Sequence, residues 1–390
     1  ILLVLFLFFC LIYTCNLESL PDSIILFEGE NLNIPTLFGI EVSKTQDVSS
    51  VIGEGNRNKV QNEESSFSYG VDISIANIKL KQLEVNVIPK TSVVVSGNTI
   101  GAKLYTDGVL VVGMSEIEGD KPYENSGIEE GDMIVEINKK AVTCTTDLIK
   151  IVNESKGNNV EIKYLREGEE HIANINPTKT VENEYKLGLW VRDAAAGVGT
   201  LTFYNPETKD FAALGHGIMD IDTGKLINIS KGELVTSKVV SISKGENGKP
   251  GEIKGTIENG ISVGEINKNT YFGIYGKLNN PSALGINQNN MIEVANRDEI
   301  KTGKAYILAA IDNNQRREYE IQIEKIYYNN NSNNKSMLIK VTDEELKNKT
   351  GGIIQGMSGS PIVQDGKFIG AVTHVLVNDP TKGYAVFGDL

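Results

Sequence analysis

Gly356-Met357-Ser358-Gly359-Ser360-Pro361 is the stretch on which the reading of the fold turns. A hydroxyl nucleophile needs a backbone turn that exposes its Oγ and aims neighbouring amides at one spot. Glycines at 356 and 359 permit the unusual φ values of such a turn and leave room for a substrate carbonyl. The hexapeptide alone therefore supports an exposed nucleophile at Ser358, with Ser360 taking the small position ahead of Pro361. Downstream, Pro361-Ile362-Val363-Gln364 and Phe368-Ile369-Gly370-Ala371-Val372-Thr373-His374 flank Asp365-Gly366, a dipeptide that favours a tight hairpin.

A base for this serine has to come from three histidines, at 171, 216 and 374. His171 lies in a charged strand end. His374 is a strand residue after the serine hairpin, a place for a structural or substrate-lining imidazole. His216 sits in Phe211-Ala212-Ala213-Leu214-Gly215-His216-Gly217-Ile218-Met219-Asp220, where glycine on each side allows close packing and access to the ring. One histidine without neighbouring His or Cys makes a poor metal site, so activation of a nucleophile is its economical role, and no metal or cofactor is expected. Spacing leaves the acid open: Asp220 and Asp222 follow His216, and Asp379 follows the His374 strand.

From 186 to 390 the chain is glycine-rich, with β-type runs at 199–203, 233–241, 261–266, 305–311, 319–328 and 337–341. That rhythm predicts an all-β barrel or paired barrels. Residues 329–334 read as a polar loop. Upstream, Ser126-Gly127-Ile128-Glu129-Glu130-Gly131-Asp132-Met133-Ile134-Val135-Glu136-Ile137-Asn138 lies between an apolar strand at 108–113 and a helix-like run at 145–154, with a strand at 160–165 after it. The Gly131-Asp132 turn leading into a half-buried strand resembles a PDZ domain. The resemblance implies a groove in which the strand at Gly108, Val109, Leu110 and Val111 accepts an extended peptide opposite the helix. The usual Gly-Leu-Gly-Phe loop is missing before it.

A net charge of −13 and the absence of a basic cluster with interleaved aromatics exclude a nucleic-acid surface. Residues 1–15 are uncharged and largely apolar, which predicts an uncleaved signal anchor completed by a basic segment ahead of Ile1. Alternation from 69 to 89 predicts strands, and the polar stretch 54–66 predicts a linker or exposed loop. Of three cysteines, at 10, 15 and 144, the last alone lies in the soluble part, so no disulfide framework is available there.

Two motifs carry a wider resemblance. Gly356-Met357-Ser358-Gly359-Ser360-Pro361 is similar to the serine turn of chymotrypsin-like enzymes, which implies an oxyanion hole made by the amides of Gly356 and Ser358. Joined to Ala213-Leu214-Gly215-His216-Gly217-Ile218-Met219-Asp220, and with the PDZ-like module ahead of it, it closely resembles the stage IV sporulation protein B family of PDZ-containing serine peptidases. That family implies His216 as general base, Ser358 as nucleophile and Asp343, fifteen residues before the serine, as the acid. The expected architecture is mainly β: an anchor at 1–15, a β-containing region and linker at 16–100, a PDZ domain at 101–180, and a chymotrypsin-like β-barrel protease domain at 186–390. The expected task is a restricted cut outside the cytoplasm, in the space between the forespore membranes. Its substrates there are the chain itself, near 54–66, and a regulator of an intramembrane metalloprotease, leading to activation of a late sigma factor. An inactive PDZ-based tethering protein is the alternative.

Overall fold

Strands dominate the computed structural model, which describes residues 20–389 other than 21, 33, 35–39, 46–66, 76–77, 258–259, 313–314 and 329–333. The expected anchor at 1–15, the polar stretch at 54–66 and most of the run 329–334 lie outside the described residues. Among the described residues no helix is long and apolar enough to cross a membrane.

Strands β1 (Ser23–Phe27), β2 (Ile40–Lys44), β3 (Phe67–Ile75) and β4 (Ile78–Ile88) form a small sheet in the order β1-β4-β3-β2. The alternation in β3 and β4 buries Tyr69, Val71 and Ile73 with Leu83, Val85 and Val87. After β5 (Ser92–Val95) and the long β6 (Thr99–Met114), the PDZ domain is built by β7 (Met133–Ile137), β8 (Lys140–Ala141), α1 (Thr145–Glu154), β9 (Val160–Arg166) and β10 (Glu169–Ile175). Helix α1 turns Leu148, Ile151 and Val152, one helical face, onto a core that includes Val109, Val111, Ile134 and Ile162. In the Gly131-Asp132 turn the buried Asp132 carboxylate receives both arms of Arg166 at 2.8 Å and the Glu129 amide at 2.8 Å, which compensates its desolvation.

The pair β11 (Thr178–Lys179) and β12 (Tyr185–Lys186) leads into β13 (Leu189–Tyr204), β14 (Asp210–Ala213), β15 (Lys231–Thr236), β16 (Lys238–Ser243), β17 (Glu252–Thr256), β18 (Ser262–Thr270), β19 (Gly273–Leu278) and β20 (Ile292–Glu293). Five of these strands join β6 in the order β6-β15-β18-β19-β14-β13, and β13 pairs back to β6, closing a ring around Ile100, Leu104, Leu201, Phe211, Leu234 and Ile266. A second closed barrel follows: β21 (Gly303–Asp312), β22 (Gln315–Ile326), β23 (Met337–Val341), then helix α2 (Glu344–Thr350), β24 (Pro361–Gln364), β25 (Lys367–Leu376) and β26 (Asp379–Phe387), in the order β21-β22-β23-β26-β25-β24. Alternate residues Tyr319, Ile321 and Ile323 of β22 point into its core. The chain is thus mainly β, with two barrels and a PDZ domain.

Two features depart from the sequence reading. The first barrel starts ahead of the PDZ domain: β6 pairs with β15 over 100–105 and with β7 at 109–110, so one strand serves both units. The expected strand at 233–241 breaks at the buried Ser237, because β15 stays in the barrel while β16 leaves it to pair with β17.

Candidate active site

The serine turn lies at the seam of the two barrels. Gly356 and Gly359 hold φ of +95° and +93°, the left-handed region that favours glycine. Thr200 of β13 clamps the turn, its amide donating to the Ser358 carbonyl at 3.2 Å and its Oγ1 to the Gly356 carbonyl at 2.7 Å. A Cβ at Gly359 would collide with the Thr200 carbonyl and the Leu214 backbone. Close approach of the first barrel, in addition to φ, therefore demands that glycine; room for a substrate is not its reason.

The amides around Ser358 divide into two sets. Those of Gln355, Met357, Gly359 and Ser360 donate to the carbonyls of Gly251, Ile354, Val372 and Met357. Those of Gly356 and Ser358 donate to no protein group among the described residues. Two undonated N–H groups flanking Met357 on one turn are a ready donor pair for a developing oxyanion. The Ser358 Oγ is half-buried and donates to the Thr373 carbonyl at 2.8 Å. Ser360 is fully buried and its hydroxyl has no partner, so it has no access to a substrate.

His216 comes from the first barrel, just past β14. Leu214 (φ 74°) and Gly215 (φ 67°) turn the chain in consecutive left-handed conformations. Asn269 of β18 then pins the segment: its Oδ1 accepts from the Ile218 amide at 2.9 Å, and its Nδ2 donates to the carbonyls of Ile218 and Ile227 at 2.8 and 2.9 Å. The His216 Nδ1 lies 2.9 Å from the Gly217 carbonyl. A carbonyl only accepts, so Nδ1 carries the proton and Nε2 presents a lone pair, the tautomer a general base requires. The His374 ring of β25 stands 5.5 Å from that of His216, inclined at 37°. Burial, then the neighbouring His216 and Lys335, push its pKa below the ordinary imidazole value. A neutral His374 adds no positive charge to oppose an imidazolium forming at His216.

Serine, free amides and two imidazoles are brought together; a carboxylate is not. Among the described residues no Asp or Glu is hydrogen-bonded or ion-paired to either ring. Asp343, expected as the acid, is the N-cap of α2: its Oδ1 accepts from the Leu346 amide at 2.8 Å and its Oδ2 from the Glu320 amide at 3.5 Å. The local reason is plain, since an Asp followed by Glu344 and Glu345 makes a favourable helix start. Asp220 accepts from Thr223 and pairs with Arg192, Asp222 pairs with the same Arg192, and Asp379 accepts from Thr381. Sequence reasoning missed Thr200, Asn269 and Asn334. The buried Asn334 donates from Nδ2 to the Gly215 and Tyr271 carbonyls, and its backbone carbonyl accepts from Thr373 Oγ1 at 2.8 Å, tying the His216 segment to the His374 strand. No signal in an asparagine-rich run distinguishes it. Among the described residues no group of three or more His, Cys, Asp or Glu is placed to hold a metal ion.

In the PDZ domain, the edge that a peptide would extend is already paired. Val111 and Leu110 face Val191 and Arg192 of β13, Val109 faces Ile134 of β7, and Gly108 accepts from Thr106 Oγ1 at 2.7 Å. The Asp193 carboxylate receives the Thr145 amide at the start of α1 at 2.6 Å.

A serine turn on one barrel, a histidine of the right tautomer on the other, and a PDZ domain spliced into the first define a PDZ-containing serine peptidase. The family model of the SpoIVB peptidase S55 matches residues 183–390, more than half of the chain, and a PDZ-domain model matches 78–176. The chain belongs to the SpoIVB peptidase S55 family and is a serine endopeptidase. Among solved structures it is similar to the PDZ domain of an SdrC-like protein from Listeria monocytogenes, at 25% identity over 22% of this chain and 87% of that one, with a TM-score of 0.19. The corresponding domain from Listeria innocua is also 25% identical, over 22% of this chain and 94% of that one, with a TM-score of 0.20. A comparison with curated proteins finds no match.

Proposed function

We propose that Ser358 and His216 carry the peptidase chemistry, with the Gly356 and Ser358 amides as oxyanion donors. The undonated pair of amides beside the serine is the observation that carries this reading. Ser358 Oγ leaves the Thr373 carbonyl by rotation about one side-chain bond and attacks the scissile carbonyl carbon, its proton passing to His216 Nε2. The oxyanion takes the two amide N–H groups; collapse breaks the C–N bond as Nε2 returns the proton to the leaving amine. Water then repeats the sequence on the acyl-enzyme and frees Ser358. The Gly217 carbonyl holds the Nδ1 proton throughout, the task a triad acid performs elsewhere. Asp343 is a positioning residue in this scheme, acting through the helix that leads into the serine turn.

The physiological setting rests on family membership. The name of the family supports a role in sporulation. The resemblance supports a membrane-anchored enzyme acting outside the cytoplasm, processing its own chain and cutting a regulator of an intramembrane metalloprotease to trigger late sigma-factor activation. Ser358→Ala, compared with wild type by fluorophosphonate labelling and by mass mapping of self-processing fragments, tests the chemistry and the self-cleavage together. Loss of both is expected. A variant that is still labelled or still processes itself overturns the nucleophile assignment, and a wild type inert to the probe favours the tethering alternative.

A further inference from the structure

Along the sequence His216 has no neighbouring metal ligand, but the fold supplies one. His216, from the segment after β14, and His374, from β25, meet across the seam of the two barrels. Their ring centres are 5.5 Å apart and their planes inclined at 37°. Zinc binds an imidazole nitrogen at about 2.0–2.1 Å, and two imidazoles on one tetrahedral ion then have ring centres roughly 5 Å apart. The Nδ1–H of His216 is held by the Gly217 carbonyl at 2.9 Å, which leaves the Nε2 lone pair free. A carbonyl on the far nitrogen is the support that metal-ligating histidines ordinarily have. His374 is exposed, and neither of its ring nitrogens has a hydrogen-bond partner among the described residues.

Resting on the assignment of His216 as general base, we infer that His216 and His374 form an open two-imidazole site at which a divalent ion of the zinc type binds and reversibly stops the peptidase. The ion takes the Nε2 lone pair that must accept the Ser358 proton, so metal binding and catalysis exclude each other. Two protein ligands are fewer than the three or four of a catalytic or structural zinc, and water fills the remaining positions. The ion is thus an exchangeable inhibitor and not a resident cofactor. Imidazole also selects the ion, since Mg²⁺ and Ca²⁺ prefer oxygen ligands. Lys335 weakens the site further. Its ammonium lies over the ring of Tyr384, 5.1 Å from the centroid, and Tyr384 is the strand partner of His374, so a positive charge stands near the bound cation.

The probe is Zn²⁺ itself, added to the full chain during fluorophosphonate labelling, with Mg²⁺ as the hard-ion control. His374→Gln removes one ligand. His171→Gln, in β10 of the PDZ domain where the ring stacks on Tyr164, removes an imidazole outside the site. Each protein is compared with its own metal-free rate, so a change in basal reactivity cancels. Zn²⁺ but not Mg²⁺ is expected to slow wild type and His171→Gln, and a chelator to restore both. In His374→Gln the half-inhibiting concentration should rise about tenfold or more, at least the loss that follows removal of an outer-shell partner. Calorimetric titration of Zn²⁺ into Ser358→Ala should show a binding event that adding His374→Gln weakens by a similar factor. A wild type unaffected by Zn²⁺, equal sensitivity in wild type and His374→Gln, or zinc binding to Ser358→Ala that His374→Gln leaves unchanged overturns the inference. A wild type that is not labelled even without metal instead removes the Ser358 and His216 reading, and the calorimetric comparison still decides the site.

Discussion

Replacing Asp343 by asparagine separates two accounts of the site more sharply than any other single change. In the structure the carboxylate caps α2, a seven-residue helix closed by Gly351 in the left-handed conformation. The chain beyond it is laid against the rest of the fold by Ile353 N to the Pro380 carbonyl at 2.7 Å and Gln355 N to the Gly251 carbonyl at 2.9 Å, just before Gly356. Asn caps a helix about as well as Asp, so Asp343→Asn loses only the charge at the helix start, about 0.3–1 kcal/mol. Asp343→Ala loses the cap itself, typically about 1 kcal/mol, which is a factor of roughly five in the folding equilibrium and about 2–4 °C in Tm for a domain of this size. Neither change should much reduce the reactivity of molecules that remain folded at 25 °C.

A triad acid behaves differently. Exchanging it for the amide leaves the geometry intact but costs about 10⁴ in kcat, because the wrong imidazole tautomer is held. The assay is the second-order rate of fluorophosphonate labelling at 25 °C, with thermal melts of the same preparations. Capping predicts that Asn is close to wild type in both measurements, and that Ala is shifted in Tm while its labelling rate stays within a few-fold. A labelling rate lowered a thousandfold or more in Asp343→Asn, at unchanged Tm, would refute the reasoning and place the carboxylate at an imidazole during reaction.

Two further predictions concern the histidine side. His374 has its pKa depressed by burial and by His216 and Lys335, so its contribution to stability is present above the unfolded value of 6.5 and is lost as pH falls below it. Wild type should therefore lose Tm faster than His374→Gln on acidification from about pH 7 to pH 5, and parallel curves would contradict this. Asn269→Ala strips two hydrogen bonds from Ile218 in the segment that carries His216, and a third from Ile227 paired beside it. It should slow labelling about ten- to a hundredfold, since misplacing a catalytic group by an ångström has effects of that order. A rate equal to wild type would show that the segment keeps its place without that support.

Much of the architecture was legible because local chemistry decides it. Asp365-Gly366 forms the two-residue hairpin between β24 and β25, with φ of 51° and 81°, as the dipeptide requires. Helix α1 spans Thr145–Glu154, the run its apolar spacing indicates. What was not legible depends on contacts between distant segments. The run Thr99-Ile100-Gly101-Ala102-Lys103-Leu104-Tyr105-Thr106-Asp107-Gly108 reads as broken, with a glycine near each end and polar residues between. It nevertheless belongs to one sixteen-residue strand, because β13 pairs beside it for nearly its whole length. The clamp by Thr200 and the staples by Asn269 and Asn334 follow from how the barrels meet, which no spacing in the chain encodes. Asp343 illustrates the converse: the family resemblance alone implies chemistry there, while its immediate neighbours Glu344 and Glu345 already spell a helix cap.

The strand β13 joins the functions of the two units by covalent continuity. Its first residues, Leu189 to Arg192, lie along the edge of β6 that a PDZ ligand would extend, and Asp193 caps the start of α1. Residues 196–198 line a groove beside the serine turn, and Thr200 clamps that turn through two hydrogen bonds. One strand edge accepts one partner, so a peptide that adds to β6 at the PDZ site must displace β13 there. Displacement at 189–192 would act on a strand whose far end holds the carbonyls of Gly356 and Ser358, the residues whose own amides are undonated. A peptide bound there would bear on the same strand that clamps the serine turn. By linkage, any coupling between them runs equally in both directions.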